Sequence, residues 1–278
     1  MSNVNDSLVE ISKNIRKNIL KMVTVSKSSH VGSALSIVEI LVTLYFKILN
    51  IDPSNPKKED RDRFILSKGH GCSALYAVLA LKNFFPEEIL ESYGTNGGTL
   101  LGHATKEIVP GVEVSTGSLG HGLSIGAGIA FAGKHDHSKY RVFVLLSDGE
   151  CDEGSVWEAA MFAAHHKLDN LIAIIDYNKL QAFGRTEEVN NLEPLIDKWK
   201  SFGWMVQEID GHNFSQIIKV FEKIPFKENK PGIIIAHTVK GKGISFMENQ
   251  LVWHYKSPSK EEMDLALKEL SLYEDGVY

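Results

Sequence analysis

Two short runs composed almost wholly of β-forming apolar residues, Val142 to Leu146 and Leu171 to Asp176, bracket a segment, Ser155 to His166, that reads as a helix. An apolar strand without polar alternation has both faces covered. Two such strands joined through a helix make a βαβ unit, which implies a parallel sheet. The alternation continues through Leu192 to Phe202 (helix), Trp204 to Ile209 (strand), Phe214 to Ile224 (helix) and Gly232 to Ala236 (strand), with Gly211-His212-Asn213 as a turn. Upstream, helical spacing over Leu8 to Val25 and Ser33 to Leu49 predicts two helices joined by the small-residue loop Ser28 to Gly32. A polar, proline-containing stretch, Asp52 to Arg63, leads into Leu66 to Ala74, where small residues open another helix beside His70. Ser257 to Leu272 is predicted as an amphipathic helix entered at Ser257-Pro258, where proline's missing amide is not needed. The expected fold is α/β, a mostly parallel sheet flanked by helices. With no repeat, low-complexity segment or linker, residues 1–278 are expected to form one domain.

Composition narrows the partners. The 278 residues carry 30 Lys+Arg against 35 Asp+Glu, a net charge of −5, which disfavours a nucleic-acid or anionic-membrane surface. The 43% hydrophobic and 23% charged content is that of an ordinary globular chain, so function must come from motifs. Cys72 and Cys151 lie far apart, with no CxxC and no histidine at metal-ligand spacing, so neither a disulfide framework nor a zinc site is expected, and a reducing cytoplasm fits. The start lacks the basic and apolar regions of a signal peptide, and no apolar run is long enough to span a bilayer, so a soluble, mature chain is expected.

The sharpest motif is Ser147-Asp-Gly-Glu150 directly after one apolar run, followed by Asn178 directly after the next. Adjacent parallel strands bring Asp148 and Asn178 to one point on the carboxyl edge, where open α/β sheets bind ligands. A carboxylate, an amide oxygen and a backbone carbonyl are hard donors suited to Mg²⁺ or Ca²⁺, with phosphate oxygens and water completing the shell. Gly149 permits close approach of a phosphate, and the following helix adds its positive end. The alternative is a strand-end Asp-Gly turn with an unrelated Asn.

A second glycine-rich stretch, Ser115 to Ser124, runs into an apolar helix, Ile125 to Ala132, and can wrap a cofactor with its backbone or simply permit close packing. Gly128 to Lys134 matches GxxxxGK, but His135 replaces the required Ser or Thr and the intervening residues are helical, which argues against a P-loop. His30, His70, His103, His121 and His254 all stand in small or glycine-adjacent settings suited to a polar cleft, where they can hold hydroxyls and shuttle protons. His135 and His137 are expected in a solvated loop, and His165-His166 at a helix end. The lysines of Lys240-Gly-Lys-Gly243 either meet a phosphate or sit in an exposed loop.

Together these residues resemble the thiamine-diphosphate-binding half of transketolases. The similarity runs through most of the chain, in Ser29 to Gly32, Ser67 to Gly71, Leu101 to His103, Gly111 to Gly120, Asp148 to Glu158, Asn170 to Asn178 and His237 to Gly243. The resemblance implies a thiamine-diphosphate-binding fold in which Asp148, Asn178 and the carbonyl of Leu180 bind Mg²⁺, with Ca²⁺ as a substitute. It implies that Gly149 and Asn178 hold the diphosphate with His70 and His254, and that Gly117, Ser118 and Leu119 line the cofactor, Leu119 against its rings. His30 and His103 would handle the substrate's carbonyl and hydroxyls, and Glu153 would link paired active sites. The chain departs from the family pattern at Ser29-His30-Val31, often Gly-His-Pro, at Ser147, often Gly, and at His121, often Gln and expected near the cofactor rings.

Full-length transketolases continue into a pyrimidine-binding and a C-terminal domain. The resemblance therefore implies the N-terminal subunit of a split transketolase, completed by a second chain carrying those domains, with two copies of each as a heterotetramer. The implied reaction passes a two-carbon ketol unit from a ketose to an aldose, with His30, His70, His103 and His254 as the catalytic set. Alternatives are another thiamine-diphosphate enzyme acting on 2-oxo acids, against which the histidine set argues, and a non-catalytic cofactor-binding paralogue.

Overall fold

The structure, a computed structural model, describes residues 2–272. Among them a five-stranded sheet is formed by β1 (Arg63–Leu66), β2 (Val142–Ser147), β3 (Leu171–Tyr177), β4 (Met205–Asp210) and β5 (Gly232–His237), in the order β1-β2-β3-β5-β4, with every neighbouring pair parallel. The expected α/β architecture with a parallel sheet is present. Side chains on a strand alternate between faces, and here both faces are apolar. Phe143, Leu145, Ile172, Ile174 and Ile234 enter a core shared with α1 (Ser2–Ser26), α3 (Val38–Thr43), α4 (Cys72–Leu81), α9 (Phe214–Phe221) and α10 (Lys260–Leu272). Val142, Val144, Ala173, Ile175 and Ile233 enter the opposite core against α5 (His121–His135), α6 (Gly154–His165) and α8 (Leu195–Ser201). One further turn of helix, α7 (Thr186–Val189), follows the loop after β3.

The structure departs from the sequence reading at four elements. The dense apolar pattern of Ser33 to Leu49 is not one helix: it divides into α2 (Val31–Leu35), α3 and a wider π-helical turn at Leu44–Ile48. Every residue from Val31 to Tyr45 is buried, so the pattern marks depth rather than one continuous face. Strand β1 has no counterpart in the sequence pattern, because four residues after a polar stretch give too short a run to register. The last helix begins at Lys260 rather than at Pro258: Ser259 and Glu262 exchange hydrogen bonds, Ser259 N to Oε2 at 2.8 Å and Glu262 N to Ser259 Oγ at 3.2 Å, forming a capping box. The Gly128-to-Lys134 match lies inside α5 and forms no phosphate loop. Helix α5 itself starts at His121, four residues before the expected apolar segment.

Cys72 and Cys151 are free and buried, and burial raises both thiols, that of Cys72 to about 12. Among the described residues no helix is long and apolar enough to cross a membrane.

Central strand β3 carries the packing of both cores, so its side chains are the stability-critical ones. Ile174→Ala is expected to lower unfolding stability in urea by about 2–5 kcal/mol through transfer and cavity terms. Leu265→Ala, at a position 60% exposed, should stay within about 0.5 kcal/mol. Equal losses at the two positions would contradict this account.

Candidate functional site

The carboxyl ends of β1, β2, β3 and β5 open into one cavity of about 390 Å³, whose walls include His30, Lys68, His70, His103, Asp148, Asn178, Lys240 and His254. Register accounts for the meeting of Asp148 and Asn178: Ser147 lies beside Asp176 in the sheet, and the Asp148 amide donates to the Asp176 carbonyl at 3.3 Å. The Asp148 carboxylate accepts the Gly149 amide at 2.7 Å and the Lys179 amide at 2.6 Å, so the loop after β3 is tied to the loop after β2.

Beneath this surface lies a fully buried ion pair that no sequence motif announces. Lys68 Nζ stands 2.5 Å from Asp176 Oδ2, both side chains at 0% exposure. Ser36 Oγ donates to the same oxygen at 2.7 Å, Thr238 Oγ1 donates to Oδ1, and Lys68 Nζ also donates to the Ser33 carbonyl at 3.0 Å. Asn178 Nδ2 donates to Asp176 Oδ2 at 3.0 Å. That bond fixes the amide orientation, because the carboxylate accepts only from the nitrogen, and Asn178 Oδ1 is left as an acceptor that takes the Leu180 amide at 3.1 Å.

Glu150 provides a second hidden anchor. Fully buried, it accepts the Gly120 amide at 2.9 Å, the Ser147 amide at 3.3 Å and the Ser67 hydroxyl, which ties together the loops carrying His70, Gly117 and Asp148. Its carboxyl is raised by burial. Gly69 is needed where two of these loops touch: a Cβ there would come within 2.7 Å of the Thr116 carbonyl carbon.

The histidines meet as the sequence suggests. Ring centroids of His30 lie 5.1 Å from His70, 6.3 Å from His103 and 4.9 Å from His254, with His70 and His254 5.7 Å apart. His30 sits at φ 73°, the left-handed region, immediately before α2. It is held there by its amide to the His254 carbonyl at 3.0 Å, and its own carbonyl accepts the amides of Ser33 and Ala34. Burial first, then His103, Lys240 and Lys68, lower its imidazole to about 4; burial, Lys240, His30 and Lys68 lower that of His254 to about 3. His70 is pushed well below the usual histidine range by burial and then by Lys68. These three rings are therefore neutral at pH 7.

Lys240, 1% exposed, is not on an exposed loop. Its Nζ lies 3.0 Å from both the Leu180 carbonyl and His254 Nδ1, and as an ammonium it donates to each. His254 then carries its proton on Nε2. Burial and Lys68 lower Lys240 to about 8, opposed by Asp148 and Asp176.

Gly117, Leu119, Gly149, Glu153 and Leu180 also line the cavity. Ser118 does not: it is exposed, and it is not among the cavity's walls. His121, which heads α5, turns Nδ1 to the Leu119 carbonyl at 3.0 Å outside that wall. Gln181, Ala182 and Phe183 form a rim that carries no sequence signal of its own. Gln181 donates to Asp152 at 2.8 Å, and Tyr255 donates to the Ala182 carbonyl at 2.8 Å.

Residues 8–274 match the family model described as "Transketolase, thiamine diphosphate binding domain". The chain belongs to the transketolase family. It is 46% identical, over 94% of its own length and 92% of the relative's, to a protein of Phocaeicola vulgatus named as one subunit of an apulose-4-phosphate transketolase. It is 47% identical, over 92% and 93%, to one of Clostridium sp. named 6-deoxy-6-sulfo-D-fructose transketolase subunit SqwG. The solved transketolase of Leishmania mexicana superposes with a TM-score of 0.90 at 26% identity, covering 95% of this chain but 41% of that one. The chain thus spans nearly all of the subunits it matches and about two fifths of that longer transketolase. Relatives named as single subunits of a transketolase imply partner subunits for those enzymes.

Two predictions arise from the site. Asp176→Asn leaves the Lys68 ammonium uncompensated out of water and is expected to cost about 3–5 kcal/mol in urea unfolding; a loss under about 1 kcal/mol would contradict the importance of the pair. The second concerns acid. An unfolded histidine takes up its proton near pH 6.5, whereas folded His30 and His254 do so near 4 and 3. The stability that depends on their neutrality is complete above pH 6.5 and is lost progressively as pH falls toward 4. His254→Gln should therefore lose less stability than the parent chain between pH 6.5 and 4, and identical slopes would refute this.

Proposed function

We propose that residues 1–278 form one cofactor-binding domain, the N-terminal subunit of a split transketolase that works in the cytoplasm. A second chain carrying the pyrimidine-binding and C-terminal domains completes each site, with two copies of each as a heterotetramer. The reaction passes a two-carbon ketol unit from a ketose to an aldose, and no nucleic acid or membrane takes part. The observation that carries this reading is the convergence, in one cavity, of neutral histidines with the oxygens of Asp148, Asn178 and Leu180.

The donors fit the implied ion. Asp148 is 1% exposed, and burial, then Asp176, push its carboxyl up to about 7, the situation of a buried carboxylate that a hard divalent cation would relieve. With the amide oxygen of Asn178 and the carbonyl of Leu180, it forms the set that would hold Mg²⁺, or Ca²⁺ in its place. Gly149, Asn178, His70, His254 and Lys240 would hold the diphosphate, Gly117 and Leu119 would line the rings with Ser118 beside them, and Glu153 would connect paired sites. When bound, thiamine diphosphate would supply the carbon nucleophile for cleavage of the ketose.

The chain's own residues orient the sugar and move protons. The Nε2–H of His254 is a donor to a substrate or phosphate oxygen. His30, neutral and 4.9 Å from His254 between ring centroids, accepts a hydroxyl proton and returns it. His103, exposed and 6.3 Å from His30 between ring centroids, meets the substrate's carbonyl and hydroxyl end. Neutral donors and acceptors suit polyols, and the relatives' names, with apulose 4-phosphate and a sulfofructose as sugars, support a sugar substrate.

In the assembled complex with thiamine diphosphate and Mg²⁺, a ketose donor and an aldose acceptor, His103→Ala is expected to lower kcat about 10²- to 10⁴-fold. Unchanged transfer would remove His103 from the chemistry, and turnover of pyruvate in preference to a ketose would favour 2-oxo acid chemistry instead.

A further inference from the structure

The Gly211-His212-Asn213 turn lies between β4 and α9, and the proposed function gives it no role. Its imidazole is nevertheless the centre of a buried polar array. The Val239 amide donates to His212 Nε2 at 2.8 Å, and His212 Nδ1 lies 2.9 Å from Glu39 Oε2. A nitrogen that accepts a backbone N–H carries no proton, so His212 is the neutral Nδ1–H tautomer and donates to Glu39. Glu39 Oε1 meets Arg16 Nη2 at 2.6 Å, an ion-pair contact whose angles are not those of a directed hydrogen bond. The directed bond of Arg16 is from Nε to the Lys242 carbonyl at 2.9 Å. Gly243 admits this approach, since a Cβ there would come within 2.6 Å of Arg16 Nε. Arg16 and then His212 keep the Glu39 carboxyl ionised, lowering it to about 2 against the opposing effect of burial.

The array thus grips the backbone on both sides of Lys240 and Gly241: His212 holds Val239, and Arg16 holds Lys242. Between them Lys240 turns inward to the Leu180 carbonyl and His254. Lysine side chains carry large rotamer entropy, and a fixed backbone reduces the number of directions a buried one can take. We infer that His212, through Glu39 and Arg16, is a positioning residue that aims Lys240 into the cofactor cavity from outside it. The inference rests on the reading of that cavity as the diphosphate site.

A double-mutant cycle tests it, with Mg²⁺ and thiamine diphosphate titrated calorimetrically into the assembled complex carrying the parent chain, His212→Leu, Lys240→Met or the double variant. The expected result is about tenfold weaker binding for each single variant, the size of one charge-assisted hydrogen bond, and a double variant no weaker than Lys240→Met. His212→Gln, whose amide oxygen can accept the Val239 N–H, should bind within about threefold of the parent. Additive losses, or parent-like binding by His212→Leu, would overturn the inference. Parent-like binding by Lys240→Met would instead count against the diphosphate reading. The tether itself is tested separately by NMR of the ¹⁵N-histidine-labelled chain: His212 should show an unprotonated Nε2, and a protonated Nε2 would overturn it whatever the cofactor does.

Discussion

The site depends on one ion pair buried without access to water. Lys68 and Asp176 sit on loops or strand ends that are 108 residues apart in sequence, and neither charge tolerates that burial without the other. Replacing such a pair by apolar side chains of the same volume can be neutral or stabilising, so its value lies in direction rather than in net stability. Ser33, Ser36, Asn178 and Thr238 all take their orientation from it, which locks the ends of β1, β3 and β5 and the segment around α2 into one arrangement. Asp176 and the Leu180 amide together decide which atom of the Asn178 amide is which, the carboxylate taking the nitrogen and the N–H the oxygen.

Electrostatics follow from that arrangement. Lys68 and Lys240 flank the histidines, and their charges together with burial keep His30, His70 and His254 neutral. A cavity with lysine ammoniums at its floor, neutral imidazoles along its wall and the buried carboxylate of Asp148 beside them suits a metal-bound polyanion below and an uncharged polyol above. The same cations that favour a diphosphate thus leave the histidines free to exchange protons with hydroxyls.

Much of this is legible in the sequence, for physical reasons. The βαβ reading succeeds because β2 and β3 are buried on both faces and carry no polar interruption, and the Asp148–Asn178 meeting follows from parallel register alone. The histidines stand out because they sit among small residues. What is not legible depends on tertiary placement. Lys68, in a run whose glycines and His70 draw the eye, looks like a surface lysine until Asp176 is beside it. Glu150 looks like one more acidic residue of a turn, and His212 like a turn histidine, because their partners are scattered along the chain. Strand β1 is too short to show a period, and the broken helices from Val31 to Ile48 share one buried pattern that hides their breaks. Ser118 is placed by family resemblance on a wall that its exposed side chain does not join.

The residues that line the cavity come from this chain, while about three fifths of the longer Leishmania transketolase has no counterpart in it. In the proposed split enzyme, a partner subunit closes the cavity over the cofactor and supplies the groups that select the sugar. The most direct test is native mass spectrometry of the tagged chain purified from its own cells with thiamine diphosphate and Mg²⁺. The predicted result is a hetero-oligomer containing a second chain with a pyrimidine-binding domain and bound cofactor; a stable self-oligomer with neither the second chain nor the cofactor would contradict it.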